Sequence, residues 1–175
     1  TLFRARYDVE NLVTPGISGL TNPEAMRAVY DDGVRFVVFD TSRITDFATW
    51  PLNVGSANTQ QPQILEIPRR PTNLFYNVTD PDEWVGEYNQ LYGAGGLIPP
   101  PAGLGYDSTY DEILDRESDT PIYYLLRGSL SPWMFHQSNL RAFDGTRSLL
   151  SELLDRTLQK YRGYLRLPIA SLTMD

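Results

Sequence analysis

The stretch Asn22-Pro23-Glu24-Ala25-Met26-Arg27-Ala28-Val29-Tyr30-Asp31-Asp32-Gly33-Val34-Arg35-Phe36-Val37-Val38-Phe39-Asp40 decides the fold class. Asn22 is a preferred N-cap, and Pro23 suits the first helical position, where its missing N–H would have no helical partner anyway. With Gly33 as the stop, the pattern predicts a helix from about Pro23 to Asp32. Val34 to Asp40 is then a nearly continuous apolar run with β-branched and aromatic residues, as in a strand buried on both faces. A helix followed at once by such a strand is half of an α/β repeat. Thr41-Ser42-Arg43 leaves the strand at its carboxyl end, where parallel α/β folds place their functional loops.

Further along, Ile44 to Pro62 has no periodicity and reads as a long loop, and Ile64 to Ile67 and Leu74 to Val78 read as short extended segments broken by Pro68 and Pro71. Asp80-Pro81-Asp82-Glu83 starts a helix running to Tyr92, with Trp84, Val85, Tyr88 and Leu91 along its buried stripe. Gly93 to Gly105 is a Gly/Pro-rich surface excursion. Tyr110 to Glu117 reads as a short acidic helix and Pro121 to Leu126 as a strand. Thr146 to Tyr161 is the clearest helix, with Leu149, Leu150, Leu153, Leu154, Leu158 and Tyr161 on one face. Strands and helices alternating in this order predict an α/β fold.

Composition bounds the function. The chain has 175 residues, 41% apolar and 21% charged, enough to bury a core without disulfides or a structural metal. Its net charge of −7 argues against nucleic acid as a partner; all but one of its 15 basic residues, Lys160, are arginine. The adjacent pair Arg69-Arg70 reads as salt-bridging or loop-anchoring. No run of eighteen apolar residues and no signal-peptide pattern occurs, so nothing in the sequence points to a membrane. Thr1 in place of an initiator Met predicts a processed chain or a piece of a longer one. The absence of cysteine excludes thiolate zinc sites, iron–sulfur clusters and Cys nucleophiles. Asn77-Val78-Thr79 is a glycosylation sequon with meaning only in a eukaryotic secretory pathway.

The single histidine, His136, follows the apolar triplet Trp133-Met134-Phe135. It is the natural proton donor or acceptor near neutrality, and equally fits a structural role. One histidine cannot build a two- or three-His zinc site, no serine sits in a nucleophile elbow, and no Walker loop occurs. A Ser or Asp hydrolase therefore finds no geometry here. Tyr30-Asp31-Asp32-Gly33 imitates the aromatic-Asp-Asp-Gly of metal-dependent deacetylases, but it falls in the last turn of a helix and reads as a decoy. Eleven Tyr and three Trp leave room for sugar stacking: Trp50 and Trp133, each beside a proline, are the candidates for an aromatic platform, and Trp84 belongs to a helix core.

Several blocks together resemble a family. Leu12 to Leu20, Asp40-Thr41-Ser42, Ile67 to Asn77 with Asp82-Glu83-Trp84, and Trp133 to Arg141 are similar to the C-terminal half of extracellular polysaccharide deacetylase-like proteins related to the galactosaminogalactan deacetylases. The resemblance implies part of a distorted (β/α) barrel in which a divalent metal, usually zinc, serves the hydrolysis of N-acetyl groups on an amino-sugar polymer. It implies an extracellular or cell-surface location and a polysaccharide partner. By position His136 resembles the late histidine that protonates the leaving amine, and Thr14-Pro15 the loop lining the pocket. Asp40 and Trp133 are further candidates for contact with substrate. The family's His-x-x-x-His and strand-borne Asp pair are absent from this sequence, so the expectation is that an upstream segment or a partner chain supplies metal ligands and base. The alternative is a non-catalytic structural or glycan-binding protein on the same scaffold. Half a barrel alone would leave sheet edges and apolar surface open.

Overall fold

The computed structural model describes residues 9–16, 19–44 and 49–169, so Ile17, Ser18 and residues 45–48 of the expected loop lie outside the described residues. The chain forms two compact units. Among the described residues, the first comprises those up to Pro71, Leu130–Met134 and Ile169; the second comprises Thr72–Ser129 and Phe135–Pro168.

In the first unit, β1 (Asn11–Val13), α1 (Pro23–Asp31), β2 (Phe36–Asp40), β3 (Ser56–Ala57) and β4 (Leu65–Arg69) build a sheet in the order β1-β2-β4-β3. β1, β2 and β4 are parallel, with Val13 opposite Val38 and Asp40 opposite Arg69; β3 runs antiparallel to the start of β4. α1 begins as its sequence predicts: the Asn22 carboxamide oxygen accepts from the N–H groups of Glu24 and Ala25. It ends at Asp31, with Gly33 at φ +99°, so Asp31 and Asp32 do sit in a helix terminus and not on a strand. Met26 of α1 packs with Leu20, Val37, Phe39 and Ile64 on one face of the sheet.

Two features hold the edge of this sheet. Asn58, fully buried, donates to the carbonyl of Leu20 and to Glu66 Oε1 while its own oxygen accepts from the N–H groups of Gln60 and Gln61. Pro68 sits inside β4 because alternate residues of a parallel strand turn their backbone groups to opposite sides. Leu65 N–H donates to Arg35 on the β2 side, so Pro68, like Glu66, faces the β3 side, where β3 is too short to need its missing donor.

The second unit is helical: α2 (Pro81–Tyr92), α3 (Tyr110–Leu126), a 3₁₀ turn (Gln137–Leu140) and α4 (Leu149–Tyr164). Asp80, Thr109 and Ser148 cap the three helices, with a reciprocal Thr109/Glu112 box on α3. Trp84 and Ile113 are completely buried in its core with Leu74, Tyr88, Leu149 and Leu153. The Trp84 indole donates to the carbonyl of Asn73 at 2.8 Å and meets Tyr110 edge to face.

Three expectations are corrected. Pro121 to Leu126 is not a strand; it is the second half of α3, because the buried stripe of that helix continues across the proline. Leu114, Ser118 and Ile122 are buried at helical spacing, and packing of that stripe outweighs the one helical hydrogen bond that Pro121 cannot donate. Leu74 to Val78 is an irregular loop with both ends buried, not an extended segment, and Leu154 is exposed at the edge of the α4 stripe.

Candidate functional site

The first unit brings four of the expected residues to one end of its sheet. Thr14 leaves β1 with its N–H donating to the carbonyl of Val38 (3.0 Å) and its hydroxyl lying 2.5 Å from Gly16 O and 3.2 Å from Val38 O. Pro15 follows it and is exposed. Asp40 closes β2: its Oδ1 accepts from Ser42 N–H (2.8 Å) and its Oδ2 from the Ser42 hydroxyl (3.0 Å), a turn that holds the carboxylate at the strand end. Thr41, buried, donates to the carbonyl of Arg69 at 2.6 Å. Trp133 continues the row: Arg70 N–H donates to Pro132 O and Met134 N–H to Arg70 O, each at 2.8 Å, in a parallel bridge. From edge to edge, the carboxyl ends present Thr14, Asp40, Arg69 and the Trp133 segment.

Arg69 belongs to the pair that the sequence reads as salt-bridging or loop-anchoring. It lies directly opposite Asp40 in the register, and side-chain alternation puts both on the sheet face opposite Val37 and Phe39. Yet it makes no ion pair within 4.0 Å among the described residues, and its Nε is buried without a hydrogen-bond partner. A buried guanidinium retains strong demand for oxygen acceptors, so this end of the sheet combines hydroxyl, carboxylate and guanidinium groups suited to a polyhydroxylated or anionic ligand. The backbone of Arg70, bonded to Pro132 and Met134, ties the Trp133 segment to β4. The signal that could have found Arg69 and Thr41 was their position directly at the ends of strands.

His136 belongs to the second unit. Its backbone N–H donates to Asn139 Oδ1 (3.0 Å), and its half-buried ring meets the ring of Tyr76 edge to face with centroids 6.0 Å apart. Tyr76 is 71% exposed. Asn139, completely buried, donates to the carbonyls of Phe75 (2.8 Å) and Val78 (3.2 Å), and Ser138 Oγ donates to the carbonyl of Tyr76. Tyr76 was hidden in the sequence because Leu74-Phe75-Tyr76 reads as strand. Of the two tryptophans considered for a platform, Trp50 is half-buried against the core of the first unit and Trp133 is half-buried beside β4.

The second unit also encloses a polar network. Glu117 Oε1 accepts from the Tyr88 hydroxyl (2.7 Å) and from Asn73 Nδ2 (3.2 Å), and Asn73 Oδ1 accepts from Tyr92. Burial raises the Glu117 pKa despite those two donors; burial and the Glu117 charge raise those of Tyr88 and Tyr92. On the helix surface, Arg156 pairs with Asp111 and Asp115, and Lys160 with Asp115 and Asp119. Such surface pairs link α3 to α4 with little net stabilisation; one shallow cleft beside them is lined by Asp111, Asp115, Asp119 and Arg156, and a second by Leu114, Glu152, Arg156 and Arg162.

No group of three His, Asp or Glu side chains able to hold a metal occurs among the described residues, and a chain with one His and no Cys does not supply a zinc shell by itself. No helix among the described residues is long and apolar enough to cross a membrane.

A parallel-dominated α/β sheet with polar carboxyl ends defines the class of this chain, and comparison supplies the family. The family model described as the Agd3 deacetylase domain matches residues 3–175, and the chain belongs to that family. The crystal structure described as Agd3, a novel carbohydrate deacetylase, superposes with a TM-score of 0.64 at 24% identity, over 89% of this chain. The chain spans 24% of the length of that protein, and at this identity the likeness is one of fold. No curated protein matches the sequence.

Proposed function

We propose that this chain is the C-terminal part of a metal-dependent polysaccharide N-deacetylase acting at the cell surface or outside the cell. Its sheet would be one arc of a distorted (β/α) barrel, completed by an upstream segment or a partner chain. The observation that carries the reading is the row of Thr14, Asp40, Arg69 and Trp133 at the carboxyl ends of parallel strands, in a chain of the Agd3 deacetylase domain family. A zinc ion would supply Lewis-acid chemistry from ligands outside this chain.

This chain's own part is binding and proton transfer. Thr14 and Asp40 would meet sugar hydroxyls, Pro15 and Trp133 would border the sugar ring, and His136 would deliver a proton to the departing amine nitrogen. In the protein complete with its metal-bearing part, His136→Ala is expected to lower kcat by roughly 10²- to 10⁴-fold, the usual worth of a general acid, with little change in sugar binding. Acetate release from an N-acetylated amino-sugar polymer is the assay, and unchanged turnover would sink the assignment. Binding that survives chelation without any acetate release would favour the glycan-binding alternative.

A further inference from the structure

Among the described residues of the second unit Tyr76 is the most exposed aromatic ring, ahead of Tyr164, Tyr106 and Tyr123, and exposure alone says little, because single apolar side chains are common on surfaces. What sets Tyr76 apart is the contrast between its exposure and the rigidity of its support. Its flanking residues Leu74 and Val78 are both buried to within 1%. Its own carbonyl accepts from Ser138 Oγ, those of Phe75 and Val78 accept from the fully buried Asn139, and Arg141 Nη1 donates to Thr79 Oγ1 at 2.9 Å. Asn77 is tied to Glu87 at 2.7 Å. Every residue from Phe75 to Thr79 is thus held by a side-chain hydrogen bond, while the ring at the centre points to solvent.

The second observation is His136. Its ring meets that of Tyr76 edge to face, at 69° between planes, while the tyrosine side chain stays largely open to solvent. A fixed, exposed aromatic face next to an imidazole matches a pyranose ring: the sugar's axial C–H groups lie on the aromatic face, and its hydroxyl or amide groups reach the imidazole. A deacetylated unit brings an ammonium group, which a tyrosine face also attracts.

We propose that Tyr76 and His136 form a hexosamine-binding subsite in which Tyr76 stacks on a sugar ring of the polymer and so sets it against the imidazole. This deepens the deacetylase reading and rests on it for the identity of the polymer. Because the backbone that carries the ring is already tied down, little further ordering of the loop opposes binding, and the affinity of the subsite comes from the stack itself.

The test uses the protein complete with its metal-bearing part, titrated calorimetrically with hexamers of N-acetylglucosamine and of N-acetylgalactosamine, each also in fully deacetylated form. Tyr76→Ala is expected to weaken binding of the preferred hexamer about tenfold, as for loss of one aromatic stack, and Tyr76→Phe to bind within about twofold of the unsubstituted protein. A thermal transition within a few degrees of the parent shows that the Ala variant is folded. Binding unchanged in Tyr76→Ala, equal weakening by Phe and Ala, or no binding of any hexamer by the parent overturns the proposal. Acetate release measured on the same samples separates the two readings. Tyr76-dependent binding without release leaves the subsite standing and removes the deacetylase; release with Tyr76-independent binding does the reverse.

Discussion

Asn139→Ala probes the clasp that joins the 3₁₀ turn to the loop bearing Tyr76. The carboxamide is completely buried and serves three backbone groups: it accepts from His136 N–H at 3.0 Å and donates to the carbonyls of Phe75 at 2.8 Å and Val78 at 3.2 Å. Each bond is worth about 1 kcal/mol net, and each group is costly to leave unpaired in the interior, so the truncation is expected to cost about 3 kcal/mol. For a chain of this size that lowers the thermal midpoint by about 6 to 12 °C. Urea unfolding followed by circular dichroism is the assay, with the same denaturant dependence in both proteins so that the midpoint shift reports stability. Asn139→Asp is the informative partner. It keeps an acceptor for His136 but loses the donor, so at neutral pH it should be at least as damaging as Ala and should recover partly when acid protonates it. A loss below about 1 kcal/mol for Asn139→Ala would mean that water takes over all three groups, and the argument that the clasp orders Tyr76 would fall with it.

Two further outcomes follow from buried groups of the helical unit. The Tyr110 hydroxyl is buried without a hydrogen-bond partner, and burial with the nearby Glu152 charge pushes its pKa to about 12; Tyr110→Phe keeps the edge-to-face contact with Trp84 and should stabilise by about 1 kcal/mol, whereas a loss of that size in urea unfolding would show that the hydroxyl is bonded after all. Burial raises the Glu117 pKa above its unfolded value, so the fold favours the protonated acid: stability from this group is greatest below about pH 4 and falls as pH rises through the raised value, and Glu117→Gln should flatten that part of the stability–pH curve. A curve of unchanged slope in the variant would assign the pH dependence elsewhere.

The parts of the fold that were legible before the structure are those written in local chemistry. Asn22-Pro23 and Asp80-Pro81-Asp82-Glu83 start helices as caps of that composition should, and Phe36 to Asp40 forms the buried strand its apolar run predicts. Pro121 misled because its local signal, a proline before β-branched and aromatic residues, opposes the long-range one, the burial of Ile122 on the stripe of Leu114 and Ser118. Thr14, Asp40 and Trp133 were nameable as residues, but their arrangement in one row depends on strand register, which pairs residues more than twenty positions apart. Arg69 and Tyr76 escaped for a related reason. Whether a guanidinium is buried without a carboxylate, or a tyrosine stands clear of its neighbours, is decided by residues distant in sequence.

Pro68 limits what the outer side of β4 can accept. Along the outer side of β4 the run of donors is interrupted at one residue, so that side takes β3 at Leu65–Glu66 and the Trp133 segment at Arg70 as two separate short contacts, and offers no continuous template for a longer strand. A longer strand laid along that side would leave one of its acceptors without a donor at Pro68, so the outer side of β4 favours short pieces of chain such as the two it holds.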